Sequence, residues 1–188
     1  NVLKVNPASR KMTVLAHEPK MSQPNDLAIT RGGDFYASDP DWKASTGRVW
    51  RVSKEGKVSL VAGDMGTANG VEVSPDEKTL YVNESIQRKI WTFDIQPDGS
   101  LKNKRLLREF PDHGFDGMRC DIDGNLYATR HGKGTVVKLS VERGAPVQAG
   151  QELVARQRVA DQDSVRAVGV ERAAADDDLL GEGDRRQA

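Results

Sequence analysis

The stretch ANGVEVSPDEKTLYVNES, residues 68–85, decides how the chain is read. An amide and a glycine, Asn69-Gly70, stand directly before an apolar strand, and the turn SPDEK and a second strand, TLYVNE, follow. A polar side chain at such a point either caps a turn or faces something polar, because a strand core has no use for it.

The same pattern occurs twice more. Asn25-Asp26 opens LAI, before the turn RGGD and the strand FYASD. Asp116-Gly117 opens MRC, before the turn DIDGN and the strand LYATR. The openings are 44 residues apart (25 to 69) and 47 apart (69 to 116). Two further strands follow the first two openings, GRVWRVS with KVSLVA and KIWTFDI with LLREF. Four strands in a unit of about 40–50 residues is the signature of a β-propeller blade. No segment carries a sustained apolar period of 3.6 residues, so the fold class is all-β. The opening VLKVNPASRKMTVLA reads as the outer two strands of another blade. Residues 1–140 therefore hold a partial β-propeller of about two and a half to three blades.

Composition changes near Ser140. Every Trp, Tyr, Phe, Lys, Ile, Thr, Asn and Met lies before it. Residues 141–188 are rich in Ala, Arg, Val, Asp, Gln and Gly, with too little large apolar area to offset the entropy of ordering. They read as an atypical tail, either disordered or translated out of frame.

The remaining bounds are broad. The 188 residues carry a formal net charge of zero, so no basic field points to nucleic acid. No apolar run is long enough to span a membrane. The chain begins without Met inside a strand-like run, VLKV, which suggests a missing N-terminus and leaves the compartment open between cytoplasm and periplasm or secretion. Cys120 stands alone, reads as buried and inert, and gives no disulfide.

In a propeller the first strand of each blade lines a central channel, and the residue before it lies at one mouth. Asn25, Asn69 and Asp116 occupy that position in three successive blades and should converge. The end of each second strand returns to the same face, bringing Asp39, Glu84 and Arg130-His131 toward it. Two amides and one carboxylate suit a hard divalent cation, calcium first, with zinc through oxygen ligands as the alternative. Each residue taken singly reads as an Asx-turn; three in register read as a shared site. Trp42 could wall a pocket or pack on a neighbouring blade, and His131 is a substrate-pocket candidate. His113 reads as a solvated loop residue. Trp50 and Trp91 read as inter-blade core.

The motifs SQPNDLAI with GDFYASDP, ANGVEVSPDEKTLYV and DGMRCDIDGNLYAT resemble the gluconolactonase / senescence-marker-protein / luciferin-regenerating-enzyme family. The resemblance spans residues 20–140 and implies a propeller that is six-bladed when complete, with lactonase members. It implies that Asn69 and Asp116 bind metal, that Asn25 lies beside it as ligand or through water, and that Asn25 and Asp26 contact substrate. It also gives Asp116 both ligand and base roles. A further Glu ligand of the family has no counterpart here.

The expected function is a metal-dependent hydrolase that opens a sugar lactone or related ester, a small-molecule substrate. Asp116 is the first candidate catalytic base and Asp26 the second, with a loop-bracing role for Asp26 equally open. A non-catalytic binding propeller and a strictosidine-synthase-like propeller are the alternatives.

Overall fold

A computed structural model describes residues 1–140 and the backbone of 151–154. Fourteen strands and no helix are found among these residues. The first two, β1 (Val2–Val5) and β2 (Met12–Ala16), pair with each other alone. Three four-stranded antiparallel meanders follow. The first contains β3 (Leu27–Ile29), β4 (Phe35–Asp39), β5 (Arg48–Val52) and β6 (Val58–Ala62). The second contains β7 (Ala68–Val73), β8 (Thr79–Glu84), β9 (Lys89–Ile95) and β10 (Leu101–Glu109). The third contains β11 (Gly114–Cys120), β12 (Leu126–His131), β13 (Thr135–Leu139) and β14 (Gln151–Val154). The molecule is an all-β partial propeller, with β3, β7 and β11 as the inner strands.

The sequence division at residue 140 leaves Gln151–Val154 in the tail. The backbone instead pairs these residues with β13, from Lys138↔Gln151 to Thr135↔Val154, as the fourth strand of the third sheet. An outer strand is held by its ladder more than by apolar burial, so poor composition does not exclude it. The rest of the expected tail lies outside the described residues.

The blades stack through their faces. Strand side chains alternate, and a middle strand with sheets on both sides is apolar on both faces. In β8, Leu80 and Val82 join Tyr36, Val49 and Val71 in the core between the first and second sheets. Tyr81, from the opposite face of β8, joins Phe115, Met118 and Leu126 between the second and third. A smaller cluster, Ala16, Phe35, Ala37 and Val52, seats the β1–β2 pair on the first sheet. Full burial of each such Val or Leu contributes about 1.5–3 kcal/mol. Trp50 is buried and Trp91 packs at the margin of the first inter-sheet core, in line with their expected places.

Two of the three tyrosines of the second strands tie blades or turns together. The Tyr36 hydroxyl donates to the Gly99 carbonyl at 3.0 Å, joining the first blade to a turn of the second. The Tyr127 hydroxyl donates to Asp121 at 3.0 Å within its own blade. Burial pushes the Tyr36 and Tyr81 phenols up to about 12.

Candidate functional site

The opening Asn-Gly of residues 69–70 is a β-bulge. Between Ala68↔Glu84 and Val71↔Val82, β7 carries one residue more than β8. The same excess lies between Phe115↔Arg130 and Met118↔Ala128 in the third blade, at Asp116-Gly117. In the first blade Asn25 and Asp26 both face Ser38: Asn25 N–H donates to the Ser38 carbonyl at 2.9 Å, and Ser38 N–H donates to the Asp26 carbonyl at 3.0 Å. A bulge bends its strand and re-aims the side chain it carries. Three equivalent bulges thus aim three equivalent residues.

Each bulge is held by the same position of the second strand. Asp26 N–H donates to Ser38 Oγ at 3.0 Å, Gly70 N–H donates to Asn83 Oδ1 at 3.1 Å, and Thr129 Oγ1 donates to the Gly117 carbonyl at 3.1 Å. Asn83 also donates through Nδ2 to the Asp116 carbonyl, at 2.8 Å. Gly70 has no room for a side chain: a Cβ would lie 2.5 Å from Asn83 Nδ2 and closer still to the Asp116 carbonyl oxygen.

The bulges open on a cavity of ≈ 630 Å³, lined by Asn25, Asn69 and Asp116 together with Trp42, His113 and His131. Five of the six residues expected from sequence at the site are here. Asn69 is buried. Its Nδ2 donates to Ser85 Oγ at 3.0 Å and, more weakly, to the Phe115 carbonyl at 3.4 Å. Its Oδ1 is buried with no hydrogen-bond donor among the described residues. Such an acceptor costs about 1–3 kcal/mol unless something completes it. The carboxylate of Asp116 accepts no hydrogen bond from a described residue.

The sixth, Asp26, does not line the cavity. Its Oδ1 accepts from Leu27 N–H at 2.9 Å, its Oδ2 accepts from Val71 N–H at 3.2 Å, and Arg119 lies 3.8 Å away. Glu72 repeats this role one blade on, accepting from Cys120 N–H at 3.0 Å. Partial burial raises the Glu72 pKa against the pull of that hydrogen bond and of Arg119. These acids brace neighbouring inner strands, the second of the two roles open to Asp26. Cys120 behind them has its thiol pushed up to about 12, by burial first and then by Glu72 and Asp121.

Of the second-strand ends expected at this face, His131 lines the cavity and Asp39, Glu84 and Arg130 do not. Asp39 is buried and turns to the loop before β3, accepting from Ser22 N–H (3.0 Å), Gln23 N–H (2.6 Å) and Trp50 Nε1 (2.9 Å). Arg130 is buried between the rings of Phe110 (4.3 Å) and Phe115 (5.1 Å) and donates to Asp112 Oδ1 at 2.8 Å. Neither faces the cavity; both fix the loop that delivers a bulge. Glu84 is buried and likewise does not line the cavity.

Sequence reasoning passed over Ser85 and Arg88, which line the cavity, and set His113 aside. Ser85 and Arg88 follow β8 as Trp42 follows β4. The repeat that singled out Trp42 therefore also marks the loop after β8.

Comparison with known proteins bears on this geometry. The model of the SMP-30/Gluconolactonase/LRE-like region matches residues 1–150. The chain belongs to this family. A gluconolactonase from Zymomonas mobilis subsp. mobilis is 30% identical over 155 residues, which are 70% of this chain and 44% of that protein. Among solved structures, a gluconolactonase from Xanthomonas campestris superimposes with a TM-score of 0.61 at 25% identity, covering 73% of this chain and 51% of that one. Regucalcin from Agrobacterium tumefaciens str. C58, described as a calcium-binding protein, superimposes with a TM-score of 0.65 at 22% identity, covering 74% and 50%. The chain spans about half the length of these relatives.

The oxygen donors of Asn25, Asn69 and Asp116 fit a hard cation in type, and the orphaned Asn69 Oδ1 fits it in need. They do not complete a coordination shell. Among the described residues no group of three or more His, Cys, Asp or Glu is placed to hold a metal ion. No helix of the described residues is long and apolar enough to cross a membrane.

Proposed function

We propose that this chain builds part of a site that hydrolyses a sugar lactone, with Asn25, Asn69 and Asp116 as oxygen ligands of a divalent cation, calcium ahead of zinc. The observation that carries the reading is the buried, unpartnered Oδ1 of Asn69 in a cavity shared with Asn25 and Asp116. The lactonase names of the relatives support the reaction class, and the calcium-binding description of regucalcin supports the metal.

When bound, the cation supplies Lewis acidity to the lactone carbonyl. The residues of this chain do the rest. Ser85 and the Phe115 carbonyl hold the Asn69 amide so that Oδ1 faces the cavity. Asp116 has two carboxylate oxygens, which allows one to serve as ligand and the other to take the proton of the attacking water. Trp42 offers a flat apolar wall to a sugar ring, and His131 an N–H donor to its hydroxyls. Asp26 takes no part in the proton transfer, because its oxygens brace the β3–β7 junction.

The test is hydrolysis of D-glucono-δ-lactone by the whole protein, followed with a pH indicator. Activity should vanish with chelator and return with calcium or zinc. Chelator-insensitive hydrolysis removes the metal, and no hydrolysis under any condition removes the enzyme, leaving a binding propeller.

A further inference from the structure

The cavity holds a cation that the reaction above does not use. Arg88 lines it, in the loop that carries Ser85. Four other arginines are ion-paired, Arg51 to Asp34, Arg105 to Asp94, Arg119 to Glu72 and Arg130 to Asp112, whereas Arg10 and Arg108, outside the cavity lining, form no ion pair with a described residue. Arg88 has no ion pair or hydrogen bond from its side chain to any described residue. Nor do the side chains of His113 and His131, which line the same cavity.

The backbone at Arg88 is left-handed, as it is at six other non-glycine positions among the described residues, His113 of the same cavity included. Its φ is 58°, in the left-handed region that costs a residue with a Cβ roughly 1–2 kcal/mol. The conformation is fixed where Phe110 N–H donates to the Arg88 carbonyl at 3.0 Å. A guanidinium left unpaired at a cavity wall, with two imidazoles nearby, is a receptor for an anion: its planar fork matches a phosphate, sulfonate or carboxylate.

We infer that Arg88 selects lactones bearing an anionic substituent away from the ring ester, with His113 and His131 as additional donors. This rests on the lactone reading for its substrate class, but not for its anion. A neutral aldonolactone would leave the Arg88 charge unused.

The experiment compares glucitol 6-phosphate with glucitol, which differ by the phosphate and have no lactone to open. Binding to the whole protein is measured by calorimetry, beside hydrolysis of 6-phosphoglucono-δ-lactone and glucono-δ-lactone. The variants are Arg88→Asn, since Asn tolerates the left-handed backbone, and Arg88→Lys, which keeps the charge. Glucitol 6-phosphate should bind about ten-fold more tightly than glucitol. Arg88→Asn should abolish the preference, and Arg88→Lys should restore part of it. Equal affinities, a preference surviving in Arg88→Asn, or no binding of either ligand overturns the inference. Anion preference without hydrolysis of either lactone leaves the anion subsite standing and sinks the hydrolase reading. Hydrolysis without anion preference does the reverse.

Discussion

Asn83 holds the Asp116 backbone across the junction between two blades. Its Nδ2 donates to the Asp116 carbonyl at 2.8 Å, while its Oδ1 accepts from Gly70 N–H at 3.1 Å in its own blade. One fully buried amide therefore fixes the bulges that aim Asn69 and Asp116. The spacing of two candidate ligands is set by a residue that does not itself line the cavity.

Asn83→Ala removes both bonds and leaves a buried N–H and a carbonyl without partners. The cost should be about 1–3 kcal/mol for each group left unsatisfied. Asn83→Asp keeps the shape and the acceptor but loses the donor, so it should spare Gly70 and release Asp116. Urea denaturation reads the stability, and a cation titration reads the site. Asn83→Ala, which frees both bulges, should weaken cation affinity more than Asn83→Asp, which frees only that of Asp116, and the two should differ in stability. Unchanged affinity in both would show that the Asn83 clamp does not position the ligands.

Gly70→Ala tests the close approach of the inner strands. The added Cβ meets Asn83 Nδ2 at 2.5 Å and the Asp116 carbonyl closer still, and one of those contacts is rigid backbone. The junction must open, at a cost of about 1–3 kcal/mol for overpacking. Gly117→Ala meets nothing within 4 Å among the described residues and should cost far less. Thermal unfolding of the pair should separate them by several degrees. Equal midpoints would place the constraint elsewhere.

Tyr36 and Tyr81 predict the alkaline limit of stability. Burial raises both phenols from 10.0 to about 12 in the folded protein. The native state keeps its protons while the unfolded chain loses them, so stability is whole below pH 10 and falls as pH rises from about 10 to 12. Cys120 adds to the same fall from about 9 upward, since its thiol is also raised to about 12. Tyr81→Phe should flatten the decline without removing any hydrogen bond seen for Tyr81. Tyr36→Phe should flatten it too, but should lower stability at neutral pH by about 1 kcal/mol through loss of the bond to Gly99. Denaturation midpoints across pH 8 to 11.5 decide it, and an unchanged slope in both variants would refute the assignment.

The repeat was legible because its carriers recur on the outside of the pattern: Tyr36, Tyr81 and Tyr127 in the second strands, and Asn25, Asn69 and Asp116 before the first. The bulges were not, because one extra residue leaves the apolar run intact and appears only when β7 and β8 are laid in register. Arg130 was expected at the site face by its position at a strand end. Two aromatic rings and the Asp112 carboxylate draw it inward, and no spacing in the chain announces those rings as neighbours. The strand Gln151–Val154 was hidden for a different reason. An edge strand can be held by backbone bonds, which leave little mark on composition.

Asp116 and Asn69 divide the proposed cation site between charge and geometry, and the last prediction separates the two. Asp116→Asn keeps the size of the side chain and removes the single formal charge among the three candidate ligands. Calcium affinity should fall about a hundred-fold, and lactone hydrolysis should fall at least as far, because proton acceptance is lost with the charge. Asn69→Ala should cost cation affinity less, about ten-fold, since a neutral amide is replaced. It also removes the orphaned Oδ1, a gain in the cation-free protein that offsets loss of the Nδ2 bonds to Ser85 and Phe115, so the net change in stability should be small. Asn69→Asp should act in the opposite sense on affinity, adding a second carboxylate, while the buried charge lowers stability until calcium is bound. Isothermal titration with calcium and unfolding with and without the ion give each quantity separately. If Asn69→Ala binds calcium as tightly as the parent, Oδ1 is not a ligand and the proposed ligand set is wrong.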